Sequence, residues 1–201
     1  QGATTFPIAI LDTGVDINQE DLKAKIVLPT NTYSGGTDVT DVYRHGTYVA
    51  GSAAALSNNG IGVAALAWKN PIMPIKISSD SGYTNDVAII NGLVYAADHG
   101  ARVANISYAV SDSSAVASGA QYFISKGGLV TVSAGNYAVD EGIPDSPYMI
   151  SVSGTADNDA KTDSSSYGNF VDVAAPGSYI CSTIPGVVNG YNCNSHGTSF
   201  A

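Results

Sequence analysis

Short apolar runs and helix-spaced apolar positions alternate along this chain. Residues 8–11 (IAIL) form a continuous apolar run, as expected of a strand buried on both faces. Strands are likewise predicted over 72–77, 103–107, 129–133, 149–152 and 170–173. Between them lie helical patterns. Residues 45–56 are small and alanine-rich, suited to a tightly packed helix. Val87, Ile90, Val94 and Ala97 recur at helical spacing, predicting a helix capped by Thr84 that runs to about His99 and stops at Gly100. Residues 114–126 read as a further helix, closed by Gly127 and Gly128. Such alternation predicts an α/β fold of three layers, a mostly parallel central sheet with helices on both faces. Its active site is expected at the carboxyl ends of strands, where Asp12, Ser107 and Asn136 fall.

Composition narrows the function. The 201 residues are 44% hydrophobic and 12% charged, which fits one well-packed domain over residues 1–201 and excludes disorder. The net charge of -9 rests on only eight Lys and Arg, too few for a phosphate-binding stripe, so nucleic acid is not an expected partner. The acidity reads as solubility, or secondarily as cation binding by some of the Asp residues. No apolar run approaches ~18 residues, so no membrane partner is expected, and no targeting segment is read. Cys181 and Cys193 flank eleven residues that can turn as a hairpin, so they are either a disulfide, which suits an oxidising compartment, or two free thiols.

Three blocks carry chemistry: Asp12-Thr13-Gly14-Val15-Asp16, His45-Gly46-Thr47-Tyr48-Val49-Ala50-Gly51 and His196-Gly197-Thr198-Ser199-Phe200-Ala201. An apolar run ending in Asp-Thr-Gly also occurs in aspartic proteases, but that chemistry needs two carboxylates sharing a proton. This chain has one Asp-Thr-Gly and a helix-rich pattern. Serine-protease chemistry needs a hydroxyl, a base to take its proton and a carboxylate to fix the base's tautomer. Ser199, His45 and Asp12 supply these, in the order Asp, His, Ser. Ser199 is expected at a helix N-terminus, whose dipole favours developing negative charge. His99, before Gly100, is read as a helix C-terminal charge, and no base role follows for His196. The sequence has no His-Glu-x-x-His, so a catalytic zinc is not expected.

These blocks, together with Ser133-Ala134-Gly135-Asn136, Asn105-Ile106-Ser107 and Ala175-Pro176-Gly177, resemble the subtilisin-like serine proteases (subtilases) along essentially the whole chain. The resemblance implies a secreted, extracellular serine endopeptidase acting through an acyl-enzyme. Ser199 is then the nucleophile, His45 the general base, Asp12 its orienting carboxylate, and Asn136 an oxyanion donor with the Ser199 backbone N–H. Ser107, Tyr108 and Ala109, with Ser133, Ala134 and Gly135, would offer edge backbone to an extended polypeptide substrate. A catalytically silent, peptide-binding module is the alternative. The chemistry needs no cofactor. Structural calcium is implied at Asp21 and at the 56–63 loop, through Leu56, Asn59, Ile61 and Val63. A propeptide or protein inhibitor is a further implied partner, and a monomer the implied state.

Four departures from the family pattern stand out. Tyr48 replaces a usual His, Phe200 a usual Met, and Ala109-Val110 a frequent Gly pair, which would narrow the cleft. The chain also begins close to Asp12 and ends at Ala201, so it reads as truncated at both ends, without the helix that follows the nucleophile in the family. Weak stability and weak activity are expected of such a fragment.

Overall fold

The computed structural model describes residues 4–201. Its centre is a seven-stranded sheet of β1 (Ile8–Asp12), β2 (Thr30–Asn31), β3 (Ile72–Lys76), β4 (Val103–Ile106), β5 (Leu129–Ser133), β6 (Ile150–Thr155) and β7 (Val173–Pro176). The spatial order is β2-β3-β1-β4-β5-β6-β7, and every pairing is parallel. Three helices, α1 (His45–Ala54), α2 (Asp86–Asp98) and α3 (Ser114–Ser125), cover it.

Side-chain alternation along β1 explains the layers. Ala9 and Leu11 join Ile75, Leu93, Ile106 and Phe123 in the larger core, under α2 and α3. Ile10 points the other way, into a smaller core with Val49, Ala50 and Ala54 of α1. A strand with apolar residues on both faces must be covered on both, which is why its sequence does not alternate.

The chain leaves β1 toward β3 on one side, then crosses to β4 and proceeds to β5 on the other. The crevice between the carboxyl ends of β1 and β4 is therefore the topological switch point. Leu11 pairs with Ile106, so Asp12 and Ser107 emerge side by side there.

Several predicted boundaries move. Thr84 does not cap α2: its hydroxyl donates to the Ile77 carbonyl at 2.6 Å, and Asn85 caps instead, accepting from the Ala88 N–H at 2.9 Å. The α1 helix ends at Ala54 and α3 at Ser125, short of 56 and 126. The β4 strand stops at Ile106, and β6 starts at Ile150 and runs to Thr155. Phe170 is a core side chain, 1% exposed, but it sits on a turn, and β7 begins only at Val173. Apolarity marked the burial there, not the strand.

A hairpin, β8 (Ile180–Thr183) and β9 (Tyr191–Ser195), packs on α1, and the Cys181–Cys193 disulfide ties its strands. Thr183 Oγ1 donates to the Thr47 carbonyl of α1 at 2.8 Å. The hairpin thereby returns the chain to the sheet's carboxyl edge and delivers residues 196–199 to it.

Candidate active site

Asp12 ends β1 with no exposed surface. Its Oδ1 accepts the Thr13 N–H at 2.7 Å and lies 2.7 Å from His45 Nδ1. Its Oδ2 is buried with no hydrogen-bond partner among the described residues. A buried, under-satisfied carboxylate gains most from a neighbour that carries a proton.

His45 opens α1 immediately after Arg44, whose φ of 78° turns the chain sharply into the helix. Gly46 lets the helix start press on β1: a Cβ there would lie 2.1 Å from the Gly14 carbonyl and 3.0 Å from Asp12 Cβ. Any larger residue would push His45 off Asp12.

A second buried carboxylate organises this junction, and sequence reading missed it. Asp41 Oδ1 accepts from Thr13 Oγ1 at 2.7 Å and from the Arg44 N–H at 2.8 Å. Its Oδ2 accepts from the N–H and hydroxyl of Thr47, at 2.7 and 2.6 Å. Thr13 Oγ1 in turn accepts the Gly46 N–H at 2.9 Å. Asp41 thus caps α1 and links it to the residue after Asp12. The available signal was an acidic residue just ahead of a helix start.

Burial of the His45 ring disfavours its charge, but the charge and hydrogen bond of Asp12, with Asp41 behind, outweigh this and raise its pKa above the ordinary value. Asp41→Asn removes one of the raising charges. His45 then takes up its proton at lower pH than in the parent, read from imidazole chemical shifts; an unchanged titration contradicts the assignment.

Ser199 lies in a turn at 198–200. Its Oγ donates to the Ser107 carbonyl at 3.3 Å, and Ser107 Oγ donates to the Ser199 carbonyl at 2.9 Å. Behind this clasp, Thr131 Oγ1 donates to Asn105 Oδ1, and Asn105 Nδ2 donates to Ser107 Oγ, at 2.9 and 2.8 Å. His45 and Ser199 line one cleft of about 390 Å³, with the Ser199 hydroxyl turned to Ser107 rather than to the imidazole. A larger cavity of about 600 Å³, beside Asp16, Asp38 and Arg44, contains neither His45 nor Ser199.

Asn136 Oδ1 accepts from the Thr198 N–H at 3.0 Å and from Thr198 Oγ1 at 3.1 Å. A backbone N–H can only donate, so the amide oxygen faces Thr198 and Nδ2 is left as a free donor on the cleft. The Ser199 backbone N–H makes no hydrogen bond to another described residue.

Ser107, Tyr108, Ala109, Ser133 and Gly135 line the same cleft, and Ala134 lines a side pocket. Tyr108 and Ala109 make no backbone hydrogen bonds among the described residues, leaving their N–H and C=O groups open to a partner. Of the Ala109-Val110 pair only Ala109 narrows the cleft, because Val110 turns into the larger core. The other two departures touch each other: the Phe200 ring lies 5.8 Å from that of His45 and 6.5 Å from that of Tyr48. His196 faces Ser178 and Tyr179.

Farther off, Asp21 is fully buried; Oδ1 accepts from Asn59 Nδ2 at 2.6 Å and Oδ2 from the Val63 N–H at 3.1 Å. A Cβ on Gly62, whose φ is 59°, would lie 2.0 Å from Asp21 Oδ2, so only glycine leaves the carboxylate this space. The Leu56, Ile61 and Val63 carbonyls accept no hydrogen bond from the described residues. Asn59 meets the Asp21 carboxylate with its Nδ2 and accepts from the Ile61 N–H at 3.3 Å, so it would have to turn to present its oxygen to a cation beside Asp21.

The profile described as the Subtilase family matches residues 4–201. Thermitase of Thermoactinomyces vulgaris is 39% identical over 183 residues, which span 89% of this chain and 65% of that protein. A thermophilic serine proteinase of Bacillus sp. (strain AK1) is 35% identical over 206 residues, spanning 100% and 50%. The crystal structure of a cold adapted subtilisin-like serine proteinase superposes with a TM-score of 0.84 at 28% identity, covering 100% of this chain and 73% of that one. The chain thus spans about half to two thirds of the length of these two curated relatives.

Proposed function

Since the chain belongs to the subtilase family of subtilisin-like serine proteases, we propose that it carries the catalytic site of a serine endopeptidase working through Asp12, His45 and Ser199. The observation that carries this reading is the 2.7 Å contact of His45 Nδ1 with buried Asp12, inside a cleft that also holds Ser199.

The Asp12 contact keeps the Nδ1 proton in place and leaves Nε2 as the basic nitrogen. When a peptide carbonyl enters the cleft, Ser199 Oγ leaves the Ser107 carbonyl, gives its proton to His45 and attacks the carbonyl carbon. The resulting oxyanion accepts from Asn136 Nδ2 and the Ser199 N–H. His45 then protonates the leaving amine, the C–N bond breaks, and an acyl-Ser199 ester remains. Water, deprotonated by His45, hydrolyses that ester and restores the serine. The unpaired edge at Tyr108 and Ala109 aligns the polypeptide as an added strand. The exposed Cys181–Cys193 disulfide supports an extracellular place of action.

The hydroxyl of Ser199, bonded to Ser107 and not to His45, favours the second reading, a silent peptide-binding module. Digestion of an unfolded protein substrate separates the two. Hydrolysis abolished by a serine-directed phosphonate supports the enzyme; peptide binding without hydrolysis supports the module.

We propose further that calcium stabilises the Asp21–Asn59 loop. At calcium about 100-fold above its dissociation constant, linkage adds about 2.7 kcal/mol, or roughly 5–10 °C in Tm for a domain of this size. The Asp21→Ala protein loses that shift. Equal melting of the parent in calcium and in chelator contradicts the site.

A further inference from the structure

The sequence holds three Asn-Gly pairs: Asn59-Gly60, Asn91-Gly92 and Asn189-Gly190. In such a pair the backbone nitrogen of the glycine can reach the side-chain amide before it, because no Cβ shields or restricts it. The fold closes two of the three. Gly92 is buried within α2, where a Cβ would lie 2.9 Å from Leu11 Cδ2. Gly190 is buried behind the turn of the β8–β9 hairpin, where a Cβ would lie 2.7 Å from the Val187 carbonyl oxygen and 2.8 Å from that of Ile184. Its own carbonyl is held by the Ile184 N–H at 2.8 Å and by Gln19 Nε2 at 3.3 Å, so this peptide cannot swing.

Asn59-Gly60 is open. Both residues are exposed, and a Cβ on Gly60 would meet nothing within 4 Å. The Gly60 N–H makes no hydrogen bond to another described residue. The Asn59 amide, by contrast, is held at both ends. Nδ2 donates to Asp21 Oδ1 at 2.6 Å, and Oδ1 accepts from the Ile61 N–H at 3.3 Å. An oxygen held by the N–H two residues on keeps Cγ beside the intervening Gly60 nitrogen. The Ile61 N–H also points at the oxygen on which negative charge develops when that nitrogen attacks.

We propose that Asn59 is a site of self-modification, converted by the Gly60 nitrogen and water to aspartate and isoaspartate. The Gly60 nitrogen gives its proton to solvent base and bonds to Asn59 Cγ. The Cγ–Nδ2 bond breaks, and Nδ2 takes up a proton from solvent and leaves as ammonia. Water then opens the cyclic imide at either carbonyl. Breaking the new bond gives aspartate, and breaking the old backbone bond gives isoaspartate. The change alters the loop's chemistry, because a neutral donor facing buried Asp21 becomes a carboxylate. With no cation the two carboxylates repel; with one, the loop gains an anionic oxygen ligand. A cation also opposes the reaction, since Asn59 must leave the Asp21 and Ile61 contacts to offer its oxygen. These two effects of calcium rest on the calcium reading above; the modification itself does not.

The test uses the full chain as Ser199→Ala, which prevents self-digestion, aged in mildly alkaline buffer with chelator or with calcium. Peptide mapping by mass spectrometry follows the three asparagines, and isoaspartyl methyltransferase labels the isoaspartate. In chelator the Asn59 peptide is expected to convert at least about tenfold faster than those of Asn91 and Asn189, whose surroundings must first open locally. Asn59→Asp reproduces one product directly, and its calcium affinity is expected to exceed the parent's by about tenfold, read from Tm against calcium concentration. Equal conversion of the three asparagines, or an unchanged Asn59 while Asn189 converts, overturns the proposal. In a protein whose melting calcium raises, equal Asn59 rates in calcium and in chelator overturn the attack geometry. Conversion confined to Asn59 in a protein that melts alike in both upholds the modification and counts against the calcium reading alone.

Discussion

Alanine in place of His45 lowers kcat/KM toward a peptide by about four to six orders of magnitude. A serine hydroxyl is a poor nucleophile until a base takes its proton, and His45 is the only histidine lining the cleft with Ser199. The substitution also leaves Asp12 facing an empty space with Oδ2 still unpaired. Stopped assays with folded protein, checked by circular dichroism, measure the loss; less than a tenfold change removes His45 from the mechanism. The same reading sets the pH profile. Asp12 and Asp41 hold the His45 pKa above its ordinary value against the opposing effect of burial. Only the neutral imidazole accepts a proton, so kcat/KM rises with pH through that raised pKa and is lost below it. The acid limb therefore lies above the pH expected for an unperturbed histidine, near 6.5.

Asn136→Ala carries the second large effect, a loss of about 10²–10³ in kcat with KM little changed. The Asn136 amide is oriented before substrate arrives. Thr198 holds its oxygen through two hydrogen bonds, and the buried Thr198 hydroxyl is itself 2.5 Å from Ser133 Oγ. Nδ2 then costs little reorganisation when negative charge develops on the carbonyl oxygen. An interaction that strengthens only in the transition state appears in kcat, so a change confined to KM contradicts the oxyanion role. Initial rates over a substrate series separate the two parameters.

What the sequence made readable was local. Asp12, His45, Asn136 and Ser199 each sit in a short block whose glycines and flanking apolar runs fix the backbone. The buried strands were readable for the same reason, since β1 and β3 bury both faces and leave continuous runs with few polar positions. The edge strand β7 was misplaced because three of its four residues are exposed, while the apolar signal came from Phe170 on the preceding turn. The two-residue β2 is too short to show any period.

Residues that act through other residues were harder to find. The meaning of Asp41 depends on Thr13, 28 positions earlier, being brought to the start of α1. The Thr131–Asn105–Ser107 relay requires the register of β4 on β5, in which Asn105 pairs with Thr131. Such long-range side-chain bonds leave no periodic trace in a single chain.

Activation of Ser199 by His45 is read out by reaction with a fluorophosphonate, followed by peptide mapping of the phosphonylated serine. A single modified peptide containing Ser199 is expected, with no label in Ser199→Ala and labelling slowed at least about a hundredfold in His45→Ala. Label on another serine, or equal labelling rates with and without His45, contradicts it.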